Sequence, residues 1–465
     1  MGIRAIGAGA LVATLAGCTV GPDYVAPEPE VPDAWRAAAA SDLGPGAAPI
    51  ARWWEAFNDP VLDDLIATAT EYNRGVMAAA ARMEEALAVR GVAKSPLYPD
   101  LILSGGYART QVSENSPEGQ AQQASGAEVE PVDLFTGSLD TFWEIDLWGR
   151  IRRGVEAADA ELDASVEDYR DVLVSLFAEV ASAYVDVRTA QARITFAQAN
   201  IDAQQESVQL TRDRFNAGLT SALDVAQAES NLFNSESQVP VLETELEIAL
   251  NSLAVLVGSN PGALHARLSQ DADIPDPDYG VTEILPAELL RRRPDIRAAE
   301  RRLAAQTARV GQRTAELYPS FSLSGFLELV TLDVDDFFSS ESVGWGFIPG
   351  LRWNLFAGGR IRSQIRVEEA RTTQLLASYE QQVLLALAEA ENALVAMERA
   401  RVREERLTLA VASTERAVEL VRTQYITGIA DFQNVLDSQR SLFNQQDQLA
   451  ATRGAAVQSL IALNR

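Results

Sequence analysis

The chain has 465 residues and carries 39 Lys and Arg against 66 Asp and Glu, a formal charge of −27. So acidic a balance excludes nucleic acid as a partner, because binding phosphates takes basic surface. One His and one Cys leave no material for a zinc site, imidazole catalysis or a disulfide scaffold; with no phosphate-binding glycine motif either, neither an enzyme nor a bound cofactor is expected.

The amino-terminal element is a leader. Arg4 precedes an apolar, small-residue run, Ala5–Ala16, too short to span as a helix and suited to a secretory signal over residues 1–17. It ends in Leu15-Ala16-Gly17-Cys18, which resembles a bacterial lipobox. Cleavage there leaves Cys18 as a lipidated amino terminus, the covalent lipid being the only non-protein group expected. One such signal anchors modestly, so a second contact with membrane lipid is expected. Residues 18–58, rich in Pro, Ala and Gly, read as an extended leader. No later run of about 18 apolar residues predicts a transmembrane helix.

Helical patterning starts near Asp59 and stops at Pro96 and Pro99. Four segments then alternate with period two, at about 100–110, 135–148, 319–330 and 343–356. Leu101, Leu103 and Tyr107 oppose Ser104 and Gly106; Leu139, Trp143, Ile145 and Leu147 oppose Ser138, Asp140, Glu144 and Asp146. Phe321, Leu323, Leu327 and Leu329 oppose Ser322, Ser324 and Glu328; Trp345, Phe347, Leu351, Trp353 and Leu355 oppose Gly346, Arg352 and Asn354. Each segment is long enough to cross a bilayer as a tilted strand, and an apolar row with aromatics beside a polar row marks an outer-membrane barrel. Asp140, Glu144, Asp146, Glu328 and Arg352 are then the pore-lining positions. Pro349 is expected to break or bulge its strand. The polar stretches 111–133 and 332–342 suit external loops.

Four strands cannot close a barrel, and lipid forbids open sheet edges. The chain must share its barrel with copies of itself. Two copies give a filled eight-stranded barrel; three give twelve strands and an aqueous lumen, which the polar rows favour.

The strands belong to a duplication. LYPDLILSGGYART at 97–110 recurs as LYPSFSLSGFLELV at 317–330, and Phe215-Asn216-Ala217-Gly218 recurs as Tyr425-Ile426-Thr427-Gly428. Between strands and turns run heptad rows: Val166, Leu173, Val180, Val187, Ile194, Ile201, Val208 and Phe215, then Leu376 to Tyr425 with one miss at Glu404. The returning rows are Val225 to Leu253 and Val435 to Leu463. Rows this long predict supercoiled helices reaching roughly 100 Å, several bilayer thicknesses, into an aqueous space. Gly218 and Gly428 suit the left-handed residue ending a helix; Thr220 or Ser221, and Asp431, suit the next N-caps. The expected organisation is a first repeat over 59–257 (hairpin about 150–257), a linker over 258–292 and a second repeat over 293–465 (hairpin about 359–464).

The run Leu285-Pro286-Ala287-Glu288-Leu289-Leu290-Arg291-Arg292-Arg293-Pro294-Asp295-Ile296-Arg297, with Tyr318-Pro319-Ser320, Leu355-Phe356-Ala357-Gly358-Gly359-Arg360 and the two [FY]-x-x-G turns, resembles the outer-membrane efflux factors: TolC-like proteins of the NodT-type lipoprotein branch. The resemblance covers nearly all of the chain after Cys18. It implies an α+β membrane protein and a homotrimer. Four strands from each chain form a 12-stranded outer-membrane barrel, continued by a helical periplasmic tunnel. It implies a passive duct for small molecules, served by a periplasmic adaptor and an inner-membrane RND-type pump; the alternative is the exit duct of a type I protein secretion system. Thr19 after Cys18, in place of Asp, fits retention in the outer membrane. A tether built on coiled coils leaves the four strands unexplained. By position in the turn motif, Tyr425 and Asp224 fall on the family's tip restraint at the periplasmic gate, and Asn434 and Asp437 on its acidic constriction. Asn434 departs from a carboxylate, and Ala430 stands where some members carry Arg. Facing copies of Asp437 imply a cation-selective pore.

Overall fold

A computed structural model describes residues 19–29, 31, 32, 35, 52–270, 272–276 and 291–465. The signal peptide, Cys18 and the Leu285–Leu290 part of the motif lie outside them. The longer elements among the described residues are α1 (Pro60–Tyr72), α2 (Arg74–Lys94), β1 (Asp100–Thr110), α3 (Pro117–Ala124), β2 (Val132–Ile145), α4 (Arg150–Asn216), α5 (Ala222–Leu256), α6 (Pro294–Ala315), β3 (Ser320–Thr331), β4 (Val343–Arg352), α7 (Arg360–Thr427) and α8 (Phe432–Leu463). They fall into two compact units, divided within α2, α4, α6 and α7.

One unit takes 19–28, 82–166 and 298–379. Its strands form an antiparallel sheet in the order β1-β2-β3-β4. The register makes cross-sheet rows: Leu103 pairs with Leu139, Leu139 with Leu327, and Leu327 with Trp345. The next row is Ser104, Ser138, Glu328 and Gly344. Since neighbours along a strand point to opposite faces, the apolar and polar rows alternate between faces as expected. Phe142 and Phe326 are apolar intruders on the polar face, as are Ile102, Leu134, Val330 and Ile348.

Two boundaries differ from the expected ones. β2 runs 132–145, not 135–148: Asp146 leaves the ladder because its carboxylate accepts the Arg152 backbone N–H at 2.8 Å, binding the chain into the start of α4. Asp146 is therefore no strand position. β4 stops at Arg352, so Trp353 and Leu355 lie beyond it, and Pro349 neither breaks nor bulges it. On the outermost strand a missing N–H costs no ladder bond when that side of the backbone faces away from the sheet. The expected external loop after β1 contains α3, capped by Ser116 Oγ, which accepts from Gly119 N.

The duplication is visible in the bonding. Trp143 Nε1 donates to the Leu97 carbonyl and Trp353 Nε1 to that of Leu317, both at 3.1 Å. Each copy of LYP thus receives an indole from the returning segment, Trp143 within β2 and Trp353 just past the end of β4.

The other unit takes 29, 31, 32, 35, 52–81, 167–270, 272–276, 291–297 and 380–465. Its core gathers Trp53, Trp54, Phe57, Leu62, Leu65, Val180, Tyr184, Val187, Leu253, Met397 and Leu460. The continuous helix expected over 59–95 breaks at Asn73. That side chain caps α2 through Gly75 N and Val76 N and donates to the Leu256 carbonyl at 2.8 Å. Tyr184 is fully buried. Its hydroxyl donates to Asp59 at 2.5 Å and accepts from Arg188 at 3.0 Å. Burial and the Asp59 carboxylate push its pKa up to about 12. The long helices α4 (67 residues) and α7 (68 residues) match the heptad rows. Glu404, the miss in the second row, pairs with Arg453 at 2.9 Å.

Candidate functional site

Three groups of residues carry the functional expectations. The first is the polar face of the sheet. Asp140 accepts from Ser138 Oγ at 2.6 Å, and Ser138 shares a 2.7 Å bond with Ser104. Glu328 lies directly over Gly344, the ring of Phe326 over Gly346, and Ser322 over Gly350. A Cβ at 346 would run into that ring. β4 thus lends its polar face to side chains of β3, a role its alternating glycines hinted at. Glu144 is committed locally, receiving Arg150 Nε at 2.9 Å and Nη2 at 2.7 Å. Those bonds raise the Arg150 pKa against the effect of burial. Glu144, Arg150, Trp148, Tyr318, Arg352 and Asn354 line a cavity of about 280 Å³, where the Trp148 and Tyr318 rings stack at 4.8 Å.

The second group is the pair of hairpin turns. Gly218 and Gly428 have φ of 70° and 76°, the left-handed conformation expected. Ser221 is the N-cap of α5 in a capping box with Asp224, whose carboxylate also accepts from Thr220 Oγ1. Asp431 occupies the N-cap of α8 but makes no side-chain cap bond. Tyr425 is 3% exposed in a cluster with Ile201, Val208, Leu232, Phe432 and Leu436. Among the described residues its hydroxyl has no hydrogen-bond partner, Asp224 included. Asn434 and Asp437 are exposed on the first turns of α8, where Asp437 accepts from Gln433 Nε2 at 3.1 Å. Within one chain, therefore, no hydrogen bond joins Asp224 to Tyr425. The structure also brings in Arg214, which sequence reasoning missed: its guanidinium sits 4.7 Å from the centre of the Tyr425 ring. A basic residue one place before each [FY]-x-x-G would have been the signal, and only the first copy has it.

The third group is the family-specific run. Arg291 and Arg292 are exposed, but Arg293 is mostly covered. Arg293 grips Asp295 at 2.8 and 3.1 Å and Glu389 at 2.8 Å. Gln382 and Ile296 N add further bonds to Asp295. Burial pushes the Asp295 carboxyl up, but Arg293 and these donors outweigh it and hold it below the usual carboxylate range. Arg297 and Arg170 both bind buried Glu167, at 2.5 and 2.7 Å. The run is a latch fixing the start of α6 to α4 and α7.

Comparison with known proteins agrees. The family model for outer membrane efflux proteins matches residues 65–259 and 285–465. Nodulation protein T of Rhizobium leguminosarum bv. trifolii is 30% identical over 436 residues, 94% of this chain and 91% of that protein. The pyoverdine export outer membrane protein OpmQ of Pseudomonas aeruginosa is 31% identical, covering 93% of this chain and 90% of its own length. The solved outer-membrane channel OprN superposes with a TM-score of 0.88 at 34% identity, over 96% of this chain and 98% of that one. With a sheet whose two faces are sorted by polarity and a duplicated pair of long helical hairpins, the chain belongs to the outer membrane efflux protein family.

Proposed function

We propose that three copies of the chain share a 12-stranded barrel in the outer membrane and that their helical hairpins continue it as a periplasmic tunnel. Small molecules pass through this duct passively, delivered by an RND-type inner-membrane pump through a periplasmic adaptor. The observation that carries the reading is the sheet. One face is mainly apolar, the other holds Asp140, Glu144, Glu328 and Arg352, and among the described residues β1 and β4 each have one unpaired edge. Lipid tolerates such edges only when they are paired, and a second copy supplies the partner. The exposed heptad stripes Val241, Ile248, Val255 on α5 and Val395, Val402, Leu409 on α7 also lack cover within one chain and suit helices of a neighbouring copy.

In this reading Tyr425, Asp224, Asn434 and Asp437 lie at the periplasmic mouth of the duct, and Asp437 favours cations there. A lipid on Cys18 adds the second membrane contact. The seating of the following residues supports this: Val20 N donates to the Trp148 carbonyl, and Arg153 binds Asp23 at 2.6 Å, which holds the leader beside the end of β2. The test is the mass of the full-length protein in detergent, with its single-channel conductance in planar bilayers. A conducting trimer is expected. A monomer, or a trimer that never conducts, refutes the duct.

A further inference from the structure

Arg214 stands in the last turn of α4, where a cation suits the helix dipole. Its side chain is directed elsewhere. Nη1 donates to the backbone carbonyl of Ile426, at the end of α7, at 2.8 Å. The guanidinium lies over the Tyr425 ring at 4.7 Å. The last carbonyls of a helix have no partner within it. Here the turn satisfies two of them: Gly428 N donates to Tyr425 O, and Ile429 N to Gln424 O. The Ile426 carbonyl is left for Arg214.

The duplication makes this a one-way arrangement. Arg214-Phe215-Asn216-Ala217-Gly218 stands opposite Gln424-Tyr425-Ile426-Thr427-Gly428. At the position equivalent to Arg214 the second copy has the neutral Gln424. Phe215 is 45% exposed while its counterpart Tyr425 is 3% exposed. The Tyr425 hydroxyl is buried without a partner among the described residues, so the ring carries this contact. Around it, Arg422 reaches Glu206 at 2.8 Å, and Gln439 reaches Ser207 at 2.9 Å.

We infer that Arg214 is a positioning residue, a C-cap that one helical hairpin supplies to the other, clasping the two turns of a chain into one moving part. Any opening at these turns then either moves both hairpins of a chain together or first pulls Arg214 off Tyr425 and Ile426. That these turns form the mouth of the duct rests on the function proposed above; the clasp does not.

The test is amide hydrogen exchange of the full-length protein in detergent, read at 426–430, with the sheet amides as a control for folding. Arg214→Ala should speed exchange there about tenfold or more, since a cation over a ring and a charged hydrogen bond are both lost. Arg214→Lys keeps the charge near the ring, loses the fork, and should fall between the two; it stays informative if the alanine variant folds poorly. Tyr425→Phe should exchange as slowly as the parent, and Tyr425→Leu should match Arg214→Ala. Unchanged exchange in Arg214→Ala, or loosening in Tyr425→Phe equal to that in Tyr425→Leu, overturns the clasp. Conductance separates it from the reading it rests on. Faster exchange with higher conductance supports both. Faster exchange with unaltered conductance keeps the clasp and removes the turns from the mouth.

Discussion

Leu139 and Ser138 are neighbours on β2 that point to opposite faces, and arginine at each tests which face meets lipid. Leu139 lies eighth in a strand of 14 residues, between Leu103 and Leu327 on the flanking strands. An arginine near the bilayer midplane costs about 2–4 kcal/mol. The leucine is 42% exposed within the chain; at about 2–3 kcal/mol for a whole buried leucine, covering that share with lipid is worth about 1 kcal/mol. Leu139→Arg should therefore lose about 3–5 kcal/mol. Ser138→Arg gives up two hydroxyl bonds but gains a cation beside Asp140 and opposite Glu328, a net change of about 1 kcal/mol or less. The gap of roughly 3 kcal/mol is more than a hundredfold in the folded fraction. Urea titration in phospholipid bilayers, followed by the heat-sensitive mobility of the assembled protein, reads it. Equal losses at the two positions, or a larger loss at Ser138, would refute the assignment of the faces.

Gly346→Leu should destabilise the sheet by about 1–3 kcal/mol through collision with the Phe326 ring, and Phe326→Ala in the same chain should recover part of it; thermal melting of the detergent-solubilised protein checks both. Asp295 titrates below its unfolded value, so its contribution is complete above about pH 4 and fades as the pH falls through the folded pKa. Asp295→Asn should lower the melting temperature at pH 7 and flatten its fall on acidification. A variant that keeps the parent's full acid sensitivity would remove Asp295 from the latch.

What the sequence made legible follows from what its patterns encode. Period-two alternation runs through the strands, so the two faces, and the face that carries Asp140 and Glu328, could be read directly. Heptads sustained from Val166 to Phe215 announced α4, and the glycines at 218 and 428 its turn and that of α7, because only a left-handed residue closes such helices so tightly. The errors have physical causes. Asp146 continues the alternation of β2 on paper, yet a carboxylate beside a helix start binds backbone N–H groups and leaves the ladder. Asn73 breaks the first helical stretch because its amide serves three backbone groups at once, one of them 183 residues away, and no local pattern records that. The arginine triplet before Pro294 looked uniform, but its third member alone meets Asp295 and Glu389. Arg214 was missed for the same reason: its partners stand 212 residues on, in the other copy of the repeat. The duplication identified the two turns as equivalent. The difference between Arg214 and Gln424 makes one of them the holder and the other the held. A repeat reveals architecture by what it preserves, and this one marks a position where the two hairpins take different parts by what it has changed.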